Sequence, residues 1–153
     1  PSTAYRTVRD LLAEGLVEMS SEARYRLGPA FIEFDRLTRL TDPLLRAGEG
    51  ILRDVVKEAE IPCVGLLSRL YGREVMCIAD CASPEASFSP SHERGRPMPC
   101  EAEGLIASLS LVVESHRLAG AREERLRSFL ISAACELEQS LRAVENIKEG
   151  SLA

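Results

Sequence analysis

The sequence predicts an α+β protein, and three patterns carry that prediction. A short amphipathic helix followed by a two-stranded ribbon opens the chain, two apolar strand segments meet across Tyr71 and Gly72, and a long segment near the C-terminus repeats apolar residues at helical spacing.

The first element is a helix over PSTAYRTVRDLLAE, Pro1 to Glu14. Ser2 or Thr3 can cap the orphan amides of its first turn, and Gly15 supplies the permissive backbone at its end. Ala4, Val8, Leu11 and Leu12 share one face and are expected to pack inward. Ser2, Tyr5, Arg6 and Arg9 share another, with short hydrogen-bonding groups first and guanidinium groups a turn later, the arrangement a helix needs to enter a major groove. LVEM, a polar SSEA turn and RYRL then form a short ribbon, broken by Gly28 and Pro29. The pattern alone leaves two readings open, a DNA recognition helix with a wing or the helix and hairpin of an ordinary α+β domain. A recognition helix needs the helices that normally precede it, so on the first reading the chain is expected to start in mid-domain.

Phe31, Phe34 and Leu37 lie at helical spacing in a short segment ending near Thr41, and this stripe needs a partner. Asp42 and Pro43 mark a new helix start, a cap followed by a first-turn proline. Leu44, Ile51, Leu52, Val55 and Val56 give that helix a buried face before Pro62. CVGLLSRL and REVMCIAD, within residues 63–81, predict a hairpin apolar enough to be covered on at least one face. Ser83 to Pro99 is rich in proline and serine and is expected as a loop or edge segment. Gly104 to Val113 predicts another buried strand. A final helix over residues 122–147 places Leu126, Phe129, Leu130, Ala133, Leu137, Leu141 and Val144 on one side, to pack on the sheet.

Composition narrows the function classes. The 153 residues carry a formal charge of −5, and residues 1–28 balance Arg6, Arg9, Arg24 and Arg26 against Asp10, Glu14, Glu18 and Glu22, which argues against polyanion binding by net charge. No segment has the length and apolarity of a membrane span and no secretory signal pattern is present, so a cytoplasmic location without membrane association is expected. Cys63, Cys77, Cys81, Cys100 and Cys135 are odd in number and mostly set in apolar patterns, which favours reduced thiols over a disulfide scaffold. Cys77 and Cys81 with His92 lack the second close-spaced ligand pair of a zinc site, so neither metal nor cofactor is expected. An enzyme would need Cys77, Cys81 or Cys100 as nucleophile with His92 or His116 as base, and no local motif joins them.

STAYRTVRDLLAEGLVE followed by ARYRLGPAFIEF resembles the start of isocitrate lyase regulator (IclR) family transcription factors, and the resemblance continues through GREVMCIADCASPEA, GRPMP and SLSLVV. It implies a truncated winged helix-turn-helix DNA-binding domain over residues 1–28, a linker helix over 29–41, and a GAF-like effector-binding domain over 42–153. It implies operator contacts from Ser2, Thr3, Tyr5, Arg6 and Arg9 and from Arg24 and Arg26 in the wing. It further implies a homodimer or homotetramer on double-stranded operator DNA. The effector would be an organic or aromatic acid held by hydroxyls from Ser108 and Ser110, with Cys77, Val64 and Leu66 as apolar lining. Two departures stand out: the family's two helices before the recognition helix are absent, and GRPMPC runs straight into EAEGLIASLSLVV. The second implies a gap of several tens of residues between Cys100 and Glu101. A non-catalytic sensing or dimerisation module without DNA binding is the alternative.

Overall fold

The computed structural model describes residues 3–89, 94–95, 97–99 and 107–150, with side chains of the last helix described to Ala143. The expected break after Cys100 lies outside them. The chain divides into two compact units, residues 1–42 and 43–153.

In the first unit, helix α1 (Thr3–Ala13) is followed by strands β1 (Val17–Met19) and β2 (Tyr25–Leu27) and helix α2 (Ala30–Thr41). The end of α1 is closed by two backbone bonds, Leu16 N–H to Leu11 O at 3.0 Å and Gly15 N–H to Leu12 O at 3.2 Å, with Gly15 at φ +67°. That pairing satisfies carbonyls the helix would otherwise leave open, and it needs a residue at ease in the left-handed region. Val17 pairs with Leu27 and Glu18 with Arg26, antiparallel. A Cβ on Gly28 would lie 2.1 Å from the Gly15 carbonyl oxygen, so only glycine lets the ribbon return this close to the helix end. The inward face expected of α1 is only half-realised: Val8, Leu11 and Leu12 are half-buried, whereas Ala4 is exposed. Within α2, Phe31 and Phe34 meet edge to face with centroids 6.4 Å apart, yet the helix buries none of its residues.

The second unit holds helix α3 (Pro43–Glu58), strands β3 (Cys63–Tyr71), β4 (Glu74–Ala82), β5 (Pro97–Pro99) and β6 (Ala107–Val113), a 3₁₀ turn over Ser115–Arg117, and helix α4 (Ala121–Gly150). The four strands form one antiparallel sheet in the order β5-β4-β3-β6. Leu44, Leu45, Ile51, Leu52, Val55 and Val56 bury the face of α3 as its spacing predicts, with Leu45 added. Gly65 brings the sheet close beneath it, since a Cβ there would meet Leu52 and Val56 at 2.8 Å.

Helix α4 packs on α3 as well as on the sheet, because Ala133 and Leu137 join one cluster with Leu44, Leu52, Leu67 and Ala79. The strand expected to be buried over Gly104 to Val113 is described from Ala107, and every residue of β6 is half-buried or exposed. Among the described strands β6 lies at the end of the sheet, with β3 on one side. Burying one such aliphatic side chain contributes about 1.5–3 kcal/mol, so the clusters around α3 and β3 hold this unit together.

Candidate ligand-binding face and nucleic-acid interface

Both faces of β3 are covered. Cys63, Gly65 and Leu67 point toward the helices, while Val64, Leu66 and Ser68 point to the opposite face. Directly paired residues share a face, so the register Val64↔Val112, Leu66↔Ser110 and Ser68↔Ser108 puts both β6 serines there too. On the other side of β3 the pairing is Leu66↔Asp80 and Leu67↔Ala79, then Ser68↔Cys77, which leaves Ile78 as a bulge. The extra residue inverts the alternation along β4. Cys77 therefore joins Val64 and Leu66 in one cluster, while Cys81 packs with the helix-side cores. The five candidate ligand residues, Ser108, Ser110, Cys77, Val64 and Leu66, thus share one face of the sheet. The same inversion separates Cys77 from Cys81, and no group able to hold a metal occurs among the described residues.

The loop after β4 roofs part of this face. Ser83 is tied to the start of β3 by two bonds, its N–H to Cys63 O at 2.9 Å and Cys63 N–H to its Oγ at 3.0 Å. From that anchor Ala86 and Phe88 pack against Val64, Leu66 and Cys77. Ser108 is half-buried and Ser110 exposed, so the β6 side stays open. Sequence reasoning missed two residues here. Ser68 is buried and hydrogen-bonded to Cys77, and strict alternation along β3 could have found it. Arg94 donates from Nε to Ile78 O at 3.0 Å beside Gly95 N–H to Cys77 O at 2.8 Å, a placement that depends on a loop.

Burial pushes the Cys77 thiol up from its ordinary value, with Asp80 adding to the rise, and hydrogen bonding with the Ala79 backbone, the charge of Arg94 and the Ser68 hydroxyl opposing it. Burial likewise raises the Cys63 thiol. Protonated thiols are poor nucleophiles. His116 sits 4.0 Å from Glu114 Oε2, and no cysteine and histidine are paired among the described residues. His92 and Cys100 lie outside them. Two grooves occur elsewhere, one of about 390 Å³ near Lys57, Glu60 and Glu85 and one of about 300 Å³ between β6 and α4.

In the first unit, Thr3, Tyr5, Arg6 and Arg9 are exposed on α1, with Thr3 the first helical residue; Ser2 lies outside the described residues. Arg24 and Arg26 are exposed on the ribbon. Arg26 Nε lies 2.6 Å from Glu18 Oε1, Arg24 3.6 Å from Glu22 and Arg9 3.7 Å from Asp10. Arg6 has no such partner among the described residues.

No protein-family model and no curated protein matches the chain. Solved structures do. An IclR transcriptional regulator from Alicyclobacillus acidocaldarius superposes with a TM-score of 0.71 at 15% identity, covering 91% of this chain and 84% of that one. An IclR homolog from Microbacterium hydrocarbonoxydans, complexed with 4-hydroxybenzoate, gives 0.68 at 17% identity over 92% and 85%. The Thermotoga maritima IclR gives 0.66 at 13% identity over 90% and 84%. At these identities the likeness establishes a shared fold.

Proposed function

We propose that this chain, whose fold is that of IclR transcriptional regulators, is itself an effector-responsive regulator of that family. Residues 1–28 would contact operator DNA, residues 29–41 would form the linker helix, and residues 42–153 would sense a small organic or aromatic acid. The reading rests above all on one observation: the β3–β6 register and the β4 bulge gather Ser108, Ser110, Cys77, Val64 and Leu66 on a single face. Hydroxyls at one side and aliphatic groups in the middle suit a carboxylate joined to an apolar body. The 4-hydroxybenzoate bound to a protein of the same fold is of that chemical kind.

Titration calorimetry of aromatic and aliphatic acids, with and without operator DNA, tests this reading. Ser108→Ala with Ser110→Ala removes two hydroxyl donors. Each hydrogen bond to a carboxylate contributes about 1.5–3 kcal/mol, so the double variant should bind the effector tens-fold or more weakly. By linkage, an effector that weakens operator binding must itself bind more weakly to the DNA-bound protein. Equal affinity in wild type and the double variant would remove the serines from the site.

On the DNA side, Tyr5, Arg6 and Arg9 would read or flank base edges, while Ser2, Thr3, Arg24 and Arg26 would hold phosphates. The exposed Phe31, Phe34 and Leu37 stripe would join two copies, giving a dimer or tetramer that engages half-sites about 34 Å apart or a multiple of that. One observation favours the alternative of a sensing module without DNA binding: Arg9, Arg24 and Arg26 already face carboxylates. A mobility-shift assay separates the two readings, since only the regulator retards operator DNA. No described helix is long and apolar enough to cross a membrane, and we place the regulator in the cytoplasm, where its DNA would be.

A further inference from the structure

The register across β6, β3 and β4 arranges the ligand face in rows: Val112, Val64 and Ala82, then Ser110, Leu66 and Asp80, then Ser108, Ser68 and Cys77. Asp80 is the one charged residue in these rows. The bulge puts it there, because Ala79 and Cys81 on either side of it pack with the helix-side cores, so Asp80 points the other way. Without the extra residue at Ile78, Asp80 and Cys77 would lie on opposite faces. Asp80 is exposed, while Leu66 beside it in the row is buried under Ala86 and Phe88. Its charge is felt on this face, since it raises the Cys77 thiol more than the charge of Arg94 lowers it.

An ionised carboxylate accepts hydrogen bonds, donates none and repels a second anion. Two strand spacings of about 4.8 Å separate Ser110 from Asp80, so roughly 9.5 Å lies between their backbones, with Leu66 midway. That span suits a small ring or short chain with a polar group at each end. The acid end meets the serine hydroxyls, the apolar body lies between Leu66 and Phe88, and a donor faces Asp80. Arg94, held at the bulge by its bond to Ile78 O, offsets part of the field of Asp80, which disfavours a cationic donor and leaves a neutral hydroxyl.

We propose that Asp80 sets effector specificity by accepting a hydrogen bond from a hydroxyl at the end of the effector remote from its carboxylate. The protein then selects hydroxy acids over both unsubstituted acids and dicarboxylic acids. This inference rests on the acid-sensing reading above and adds to it the chemistry of the effector's second end.

The test is titration calorimetry of the full chain with benzoate, 4-hydroxybenzoate and 1,4-benzenedicarboxylate, and with hexanoate, 6-hydroxyhexanoate and hexanedioate as the aliphatic series. In at least one series the hydroxy acid should bind wild type about tenfold or more tightly than the parent acid, because the parent lacks the bond to a charged acceptor. The diacid should bind more weakly than the hydroxy acid by a larger factor. Asp80→Ala should erase the preference for the hydroxyl, and Asp80→Asn should narrow the gap to the diacid. Asp80 is exposed, so both variants should fold, which circular dichroism checks. Equal binding of hydroxy and parent acids by wild type overturns the role of Asp80; if Ser108→Ala with Ser110→Ala still weakens both, the acid-sensing reading survives that result. A hydroxyl preference that persists in Asp80→Ala overturns the proposal as well. A wild type that binds none of these acids overturns both.

Discussion

The two units use similar apolar residues in opposite ways. In residues 43–153 they close into cores: Leu44, Leu52, Leu67 and Val55 are each 2% exposed or less. In residues 1–42, Tyr5, Met19, Tyr25, Leu27, Phe31, Ile32, Phe34, Leu37 and Leu40 all remain exposed, and Gly28 is the only buried residue described. On the reading proposed above, the part of this exposure that lies on α2 would be covered by a second copy. One unit is stabilised from within, and the other is a set of helices and a ribbon whose large apolar groups stay largely exposed.

Paired truncations would break this comparison most directly. Leu52→Ala should lower unfolding stability by about 2–5 kcal/mol, because it opens a cavity between α3 and the sheet. Ile32→Ala, at a side chain 76% exposed, should change it by no more than about 0.5 kcal/mol. Urea denaturation followed by circular dichroism measures both, and comparable losses would show that the first unit has a core of its own. Gly65→Ala sharpens the same contrast. The added methyl would meet Leu52 and Val56 at 2.8 Å, so a loss of about 1–3 kcal/mol is expected, whereas a neutral result would mean that α3 can ride up on the sheet.

Arg6→Ala should leave stability unchanged and weaken operator binding by about 1–3 kcal/mol if the lost contact is bidentate to guanine. Unaltered operator affinity would take α1 out of the interface.

The smallest expected effect is alkaline. Cys63 and Cys77 hold their protons more tightly when folded than the ordinary thiol value of 9.0, so their contribution is intact below that pH. Above it the unfolded chain releases protons that the folded chain keeps, and stability falls as pH rises toward the folded values. A stability profile from pH 7 to 10 should decline, and less steeply in Cys77→Ala; equal slopes in the two proteins would exclude this thiol as a source.

Much of the fold was legible in the residues. Asp42 followed by Pro43 marked the start of α3, the apolar spacing of Leu44 through Val56 marked its buried face, and Tyr71 with Gly72 marked the hairpin turn, because caps, helical period and turn chemistry act within a few residues. Leu45 was missed although it joins the same core cluster, because adjacent Leu44 and Leu45 cannot both be placed on one face by spacing alone. The candidate ligand residues were named from resemblance, and local pattern alone would have put Cys77 with Cys81.

The sequence by itself determined which segments are helix or strand and which residues are apolar enough to be covered, since both follow from short-range spacing. Only the tertiary structure decided which face of the sheet each strand residue serves. One extra residue at Ile78 turns Cys77 from the helix side to the side of Ser108 and Ser110. That choice depends on hydrogen bonds to β3, and strand register is set by the partner strand, which no local window contains. The strand order was invisible for the same reason: neighbours are assigned only when the sheet is assembled.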